Sequence, residues 1–103
     1  MNLDDIKTRI RQSHFRLSLH AEIEAEADNL DIAQIVEGIL NGEILETYED
    51  TGRGESCLII GFSGQIPIHV VCGLSGENVI IVTVYIPGLP KFLDPWTRSG
   101  ETS

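Results

Sequence analysis

Three apolar runs in the second half of the chain, Ser56 to Phe62, Ile66 to Leu74 and Val79 to Ile86, are separated by very short connections. These are Ser63-Gly64-Gln65 and Ser75-Gly76-Glu77-Asn78. Parallel neighbours need a crossover of about a dozen residues, so connections this short force antiparallel pairing. Glu43-Ile44-Leu45-Glu46-Thr47-Tyr48 precedes the runs across a flexible Thr51-Gly52-Arg53-Gly54 turn, which predicts a four-stranded antiparallel meander. A sheet wetted on one side would alternate apolar and polar residues. Val79-Ile80-Ile81-Val82 is instead apolar at both parities, so something must cover both faces.

Before Gly42 the period is helical. Leu3, Ile6 and Ile10 share one face of a short helix running to about Gln12, with Asn2 as its cap and Asp4 and Asp5 in its first turn. Phe15-Arg16-Leu17-Ser18 reads as a short edge strand or an extended entry, and Ser18 can cap a helix that begins at Leu19-His20. From Ala21 to Asp28 small apolar and acidic residues alternate. Alanine and glutamate are strong helix formers and poor strand formers, so helix is expected in spite of the period of two. Asp31 with Gln34 makes a capping box for a third helix that buries Ile32, Ile35, Val36, Ile39 and Leu40 and stops at Asn41-Gly42. The fold class is therefore α+β, with two or three N-terminal helices packed on one face of the meander. The expected core is Ile6, Leu17, Ile23, Leu30, Ile35, Val36, Ile39, Leu58, Ile60, Ile68, Val70, Ile80, Val82 and Val84. The uncovered face is expected to be a ligand cleft or a subunit contact. The proline-punctuated tail from Pro87 to Trp96 should wrap the surface without forming an element, pinned by Phe92 and Trp96.

A chain of 103 residues supports one domain, expected over residues 1–98, with 99–103 frayed. Sixteen acidic residues against seven basic ones leave a charge of −9, which repels phosphate backbones and disfavours nucleic acid. Four of the seven basic residues, Lys7, Arg9, Arg11 and Arg16, lie in the first helix and just beyond it, where a solvated face accounts for them. No apolar run is long enough for a membrane helix, and Met1-Asn2-Leu3-Asp4-Asp5 lacks a secretory start. Cys57 and Cys72 are accordingly expected as reduced, buried thiols in a cytoplasmic protein.

Chemistry concentrates on few side chains. His69 shares a parity with Pro67 and Val71, and Thr83 shares one with Tyr85. If the helices cover the aliphatic Ile66, Ile68, Val70, Cys72 and Leu74 set, then His69, Thr83 and Tyr85 converge on the other face. An imidazole and a phenol can deprotonate a ribose hydroxyl and protonate a leaving oxygen, the division of labour a metal-independent ribonuclease needs. Arg53 and Lys91 are the cations nearest in sequence for a phosphate. A half-buried histidine bonded across the sheet accounts for the same spacing. His20, Glu24 and Asp28 form one helical stripe, for which solvent exposure is the simpler account than a cation. No metal spacing, cofactor loop or Ser-His-Asp set occurs, so no cofactor is expected.

Five motifs in order then give a likeness: Leu17-Ser18-Leu19-His20-Ala21, Asn41-Gly42-Glu43-Ile44 with Tyr48, Ser56-Cys57-Leu58-Ile59-Ile60-Gly61, Ile66-Pro67-Ile68-His69-Val70-Val71 and Ile81-Val82-Thr83-Val84-Tyr85-Ile86-Pro87. From Arg16 to Trp96 the chain resembles a small bacterial family, domain of unknown function 4258. That family is similar in layout to RelE/ParE-type and BrnT-type toxins. The resemblance implies a RelE-like arrangement and raises an RNA-directed toxin, with His69 and Tyr85 as acid and base and Thr83 and His20 in support. Relatives usually carry arginine four positions after the histidine and again before a Gly-Ile turn. Here Glu24, Asp28 and Asn29-Leu30 stand there, so two positive groups have become negative. With the net charge, this favours a non-catalytic module that dimerises through its apolar sheet face, or meets a protein partner such as an antitoxin.

Overall fold

A computed structural model of the protein describes residues 1–50, 52, 54–88 and 91–100. Its elements are α1 (Leu3–Arg11), β1 (Phe15–Leu17), α2 (Leu19–Ala27), α3 (Ile32–Leu40), β2 (Glu43–Tyr48), β3 (Ser56–Ser63), β4 (Ile66–Ser75), β5 (Asn78–Tyr85), β6 (Phe92–Asp94) and β7 (Thr97–Arg98). The fold is α+β, but the main sheet has five strands rather than four, in the order β1-β5-β4-β3-β2. The meander is antiparallel, while β1 pairs parallel with β5 through Phe15–Val79, Arg16–Ile80 and Leu17–Ile81. Among the described residues no helix is long and apolar enough to cross a membrane.

The helix starts follow the expected caps. Asn2 Oδ1 accepts from Asp5 N–H at 3.0 Å and Ser18 Oγ from Ala21 N–H at 3.0 Å. Asp31 and Gln34 exchange reciprocal bonds of 2.8 and 2.9 Å. α2 ends in a Schellman motif, with Leu30 N–H donating to Ala25 O and Asn29 N–H to Glu26 O. Asn29 takes the left-handed φ of 55° that such an ending requires.

The helices cover one face of the sheet. Ile6, Ile10, Ala21, Ala25, Leu30, Ile35 and Ile39 pack there on Ile59, Ile68, Val70, Val79, Ile81 and Val84. α3 lies so close that a Cβ on Gly61 would sit 1.7 Å from the carbonyl oxygen of Gly38, so only glycine fits at that point of β3.

Three residues expected to be buried are exposed. Ile23 is 60% exposed because Ala21 and Ala25, the narrow side of α2, face the sheet. Ile32 is 50% exposed, since α3 turns Ile35 and Ile39 inward instead. Val82 is 39% exposed because β5 carries a bulge there: Val71 pairs with Thr83 and Cys72 with Ile81, leaving Val82 as the extra residue. The bulge shifts the alternation, so Val79, Ile81 and Val84 all face the helices and Ile80 does not. Leu58 and Ile60 are buried as expected, but on the opposite face, where they pair with Val71 and His69.

The tail does form an element. β6 and β7 make a small hairpin pairing Phe92 with Arg98 and Asp94 with Thr97. Buried Phe92 pins it, and Ser99, also buried, closes it by donating its N–H to Lys91 O. This hairpin covers part of the sheet face that the helices leave open.

Candidate functional site

Three strands build the candidate site on the face away from the helices. The register sets His69 of β4 directly between Ile60 of β3 and Tyr85 of β5, and Val71 opposite Thr83. His69, Tyr85 and Thr83 therefore share that face. The imidazole is 0% exposed, because the β6–β7 hairpin lies over it. Its Nε2 is 2.6 Å from the carbonyl oxygen of Pro95 and its Nδ1 is 3.2 Å from the Tyr85 hydroxyl. A carbonyl only accepts, so Nε2 carries the proton and Nδ1 accepts from the phenol. The Phe92 ring meets the imidazole edge-on at 4.5 Å and 90°, and Tyr85 closes another side at 5.3 Å.

A second tie holds the hairpin to β2. Arg98 grips Glu46 with Nε and Nη2 at 2.6 and 2.7 Å, the paired geometry in which a guanidinium binds a carboxylate best. The same guanidinium lies 4.8 Å over the Phe92 ring. Tyr48 donates its hydroxyl to Glu46 at 2.7 Å, and Trp96 packs on Phe62 at 5.7 Å. Polar and aromatic contacts thus run from β2 through the hairpin to β4.

Burial pushes the imidazole of His69 below its ordinary value, the Pro95 carbonyl opposing in part. Burial likewise raises the Tyr85 phenol. Arg98 holds the Glu46 carboxyl below the usual range and is itself raised by that carboxylate. Tyr48 is pushed up to about 12, first by burial and then by Glu46. A neutral, enclosed imidazole with both nitrogens engaged is suited to tying strand to hairpin. It would meet a substrate proton only with the hairpin lifted.

The other candidates lie apart from this pair. His20 opens α2 in the helical layer, with Nε2 3.3 Å from Glu24 Oε1. Lys91 is exposed at the start of the hairpin, and Arg53 lies outside the described residues. The acidic stripe of α2 is not a solvated face. Glu24 Oε1 accepts from Val84 N–H at 3.1 Å and Asp28 Oδ2 from Ile86 N–H at 3.0 Å, so both serve the edge of β5. Among the described residues no three His, Cys, Asp or Glu side chains are grouped to hold a metal ion. Glu46, Pro95 and Arg98 were missed from the sequence. Only Glu46 left a signal there, its parity with Tyr48.

Beyond the hairpin the outer face stays open. Tyr48, Ser56, Gly73, Leu74, Ile80 and Val82 line a depression of ≈ 770 Å³, with Glu49 and Glu55 also along it.

A family described as a domain of unknown function (DUF4258) matches residues 17–86, and the chain belongs to it. The match takes in α2, α3 and β2 to β5, reaches only Leu17 of β1, and leaves out α1 and the β6–β7 hairpin. No curated protein matches the chain. No solved structure matches it either.

Proposed function

We propose that this member of the DUF4258 family is a non-catalytic interaction module that pairs with a second copy through the open half of its outer sheet face. The observation that carries this reading is the split of that face. One half is sealed over His69 by the chain's own hairpin. The other presents partly exposed Val82 beside half-buried Ile80 and Tyr48 around the depression. Apolar side chains gathered on an otherwise highly charged surface are what a contact face uses. The reading places the protein in the cytoplasm, consistent with two buried cysteines that are not bonded to each other.

Sedimentation velocity tests it. The wild-type chain is expected to sediment as a dimer, more firmly at higher salt because each copy carries −9. Val82→Glu should give a folded monomer. A wild-type monomer at every concentration and salt would end the proposal.

One observation favours a second reading, a RelE-like toxin or metal-independent ribonuclease: the His69 and Tyr85 side chains are already in hydrogen-bond contact at 3.2 Å. In that reading the two are acid and base, with Thr83 and His20 in support, and the hairpin must lift to admit RNA. RNA cleavage by the purified chain, lost in Tyr85→Phe, would establish it over the first.

A further inference from the structure

We infer that Cys57 and Cys72 are a modification site, a thiol pair that oxidises to an intrachain disulfide bridging β3 and β4. The two are register partners in the antiparallel pair, on the helix-facing side, and each side chain is free and buried. Directly opposed residues of antiparallel strands have Cα atoms about 4.5–5.5 Å apart, inside the window of about 4.4–6.8 Å that a disulfide spans. No slip of register is needed. Leu58–Val71 on one side and Ser56–Gly73 on the other hold the pair in place. Among the described residues no third His, Cys, Asp or Glu side chain groups with the two to hold a metal ion.

Entry favours Cys57. Burial raises both thiols, Cys57 to about 11 and Cys72 further because its desolvation is greater, with the amino terminus opposing the rise in part at Cys57. That terminus pairs with Glu55 at 3.8 Å, while Met1 and the α1 residues Ile6 and Ile10 pack against the core. Both thiols are fully buried, so attack on Cys57 requires local opening of the packing around it.

The co-reactant is a low-molecular-weight disulfide such as glutathione disulfide. The Cys57 thiolate attacks one of its sulfurs, forms a mixed disulfide and expels one glutathione thiolate. The Cys72 thiolate then attacks the Cys57 sulfur and expels the second. Two thiol protons leave to solvent, and the two electrons depart on two glutathione molecules. The closed bond joins strands already paired, so the folded state keeps its shape while the unfolded chain loses freedom.

The full chain is incubated with excess glutathione disulfide at alkaline pH, a few degrees below its melting point so that local opening is frequent. Intact mass under non-reducing conditions and thiol titration after denaturation are the readouts. The expected product is a monomer lighter by two hydrogens, with no titratable thiol and a Tm higher by about 10 °C, reversed by dithiothreitol. Cys57→Ser and Cys72→Ser should each stop at one thiol or one glutathione adduct. Two thiols recovered per chain, a stable double adduct, or disulfide-linked dimers in place of the monomer would each overturn the inference.

Discussion

Glu24 reaches from α2 to accept the backbone N–H of Val84 at 3.1 Å, doing for that strand what a neighbouring carbonyl would do. β1 covers β5 for only three residues. Past it, Ser18 donates its N–H to Ile81 O and its hydroxyl to Val82 O, and Glu24 and Asp28 then take the N–H groups of Val84 and Ile86. Two carboxylates that look like repelling neighbours in the sequence therefore finish a sheet edge.

Glu24→Ala should cost about 1–3 kcal/mol in urea unfolding, the penalty of leaving a part-buried N–H without a partner. Glu24→Gln keeps an acceptor oxygen and should cost less than half as much. Amide exchange at Val84 is expected to quicken in the alanine variant alone.

His69→Ala removes a buried ring and leaves the Pro95 carbonyl without its donor. About 3 kcal/mol of stability should be lost. Trp96, the single tryptophan, sits in the hairpin against Phe62 and reports on it directly. Its emission is expected to shift to the red in His69→Ala before the far-ultraviolet circular dichroism changes, because the hairpin loosens while the main sheet persists.

Acid should weaken the fold in two windows. The His69 imidazole titrates lower in the folded chain than its ordinary 6.5, so between those values the unfolded chain binds the extra proton. Its contribution is fully present above pH 6.5 and is lost as pH falls from there toward the folded value. Glu46 is depressed by Arg98, so its contribution is present above 4.5 and lost on further acidification. Unfolding free energy measured against pH should rise with pH across the first window, by at most about 1.4 kcal/mol per unit. His69→Asn should flatten that window and leave the lower one.

Gly38 and Gly61 touch, yet they should respond in opposite directions. A methyl on Gly61 would meet the Gly38 carbonyl oxygen at 1.7 Å, and backbone cannot yield cheaply, so Gly61→Ala should cost about 3 kcal/mol or abolish folding. A methyl on Gly38 meets only Ile68 side-chain atoms at 3.6 Å as its nearest neighbours, an ordinary contact. Gly38→Ala should therefore raise stability by up to about 1 kcal/mol, the helix-propensity gain. Thermal melts of the two variants check both signs.

Local grammar explains what the sequence revealed. Asn2, Ser18 and Asp31 announce helix starts because a cap acts within three residues, and Ser63-Gly64-Gln65 announces a hairpin because its length admits nothing else. What stayed hidden depends on distant partners. The N–H groups that Glu24 and Asp28 accept lie 60 and 58 residues away. The bulge at Val82 reverses a parity with no mark of its own, so a strict alternation puts Ile80 and Val82 inside where Val79 and Ile81 belong. β6 and β7 are too short for any period to show. The outward side of His69 was therefore legible while its roof was not.

The carboxylates at the β5 edge also limit how this protein can aggregate. With β1 only three residues long and the stretch beyond it already satisfied, β2 is, among the described residues, the border of the main sheet where another strand could hydrogen-bond along its length. Two molecules joined there would each have used the long free border of the main sheet, so backbone-to-backbone growth of that sheet terminates instead of running on into a filament.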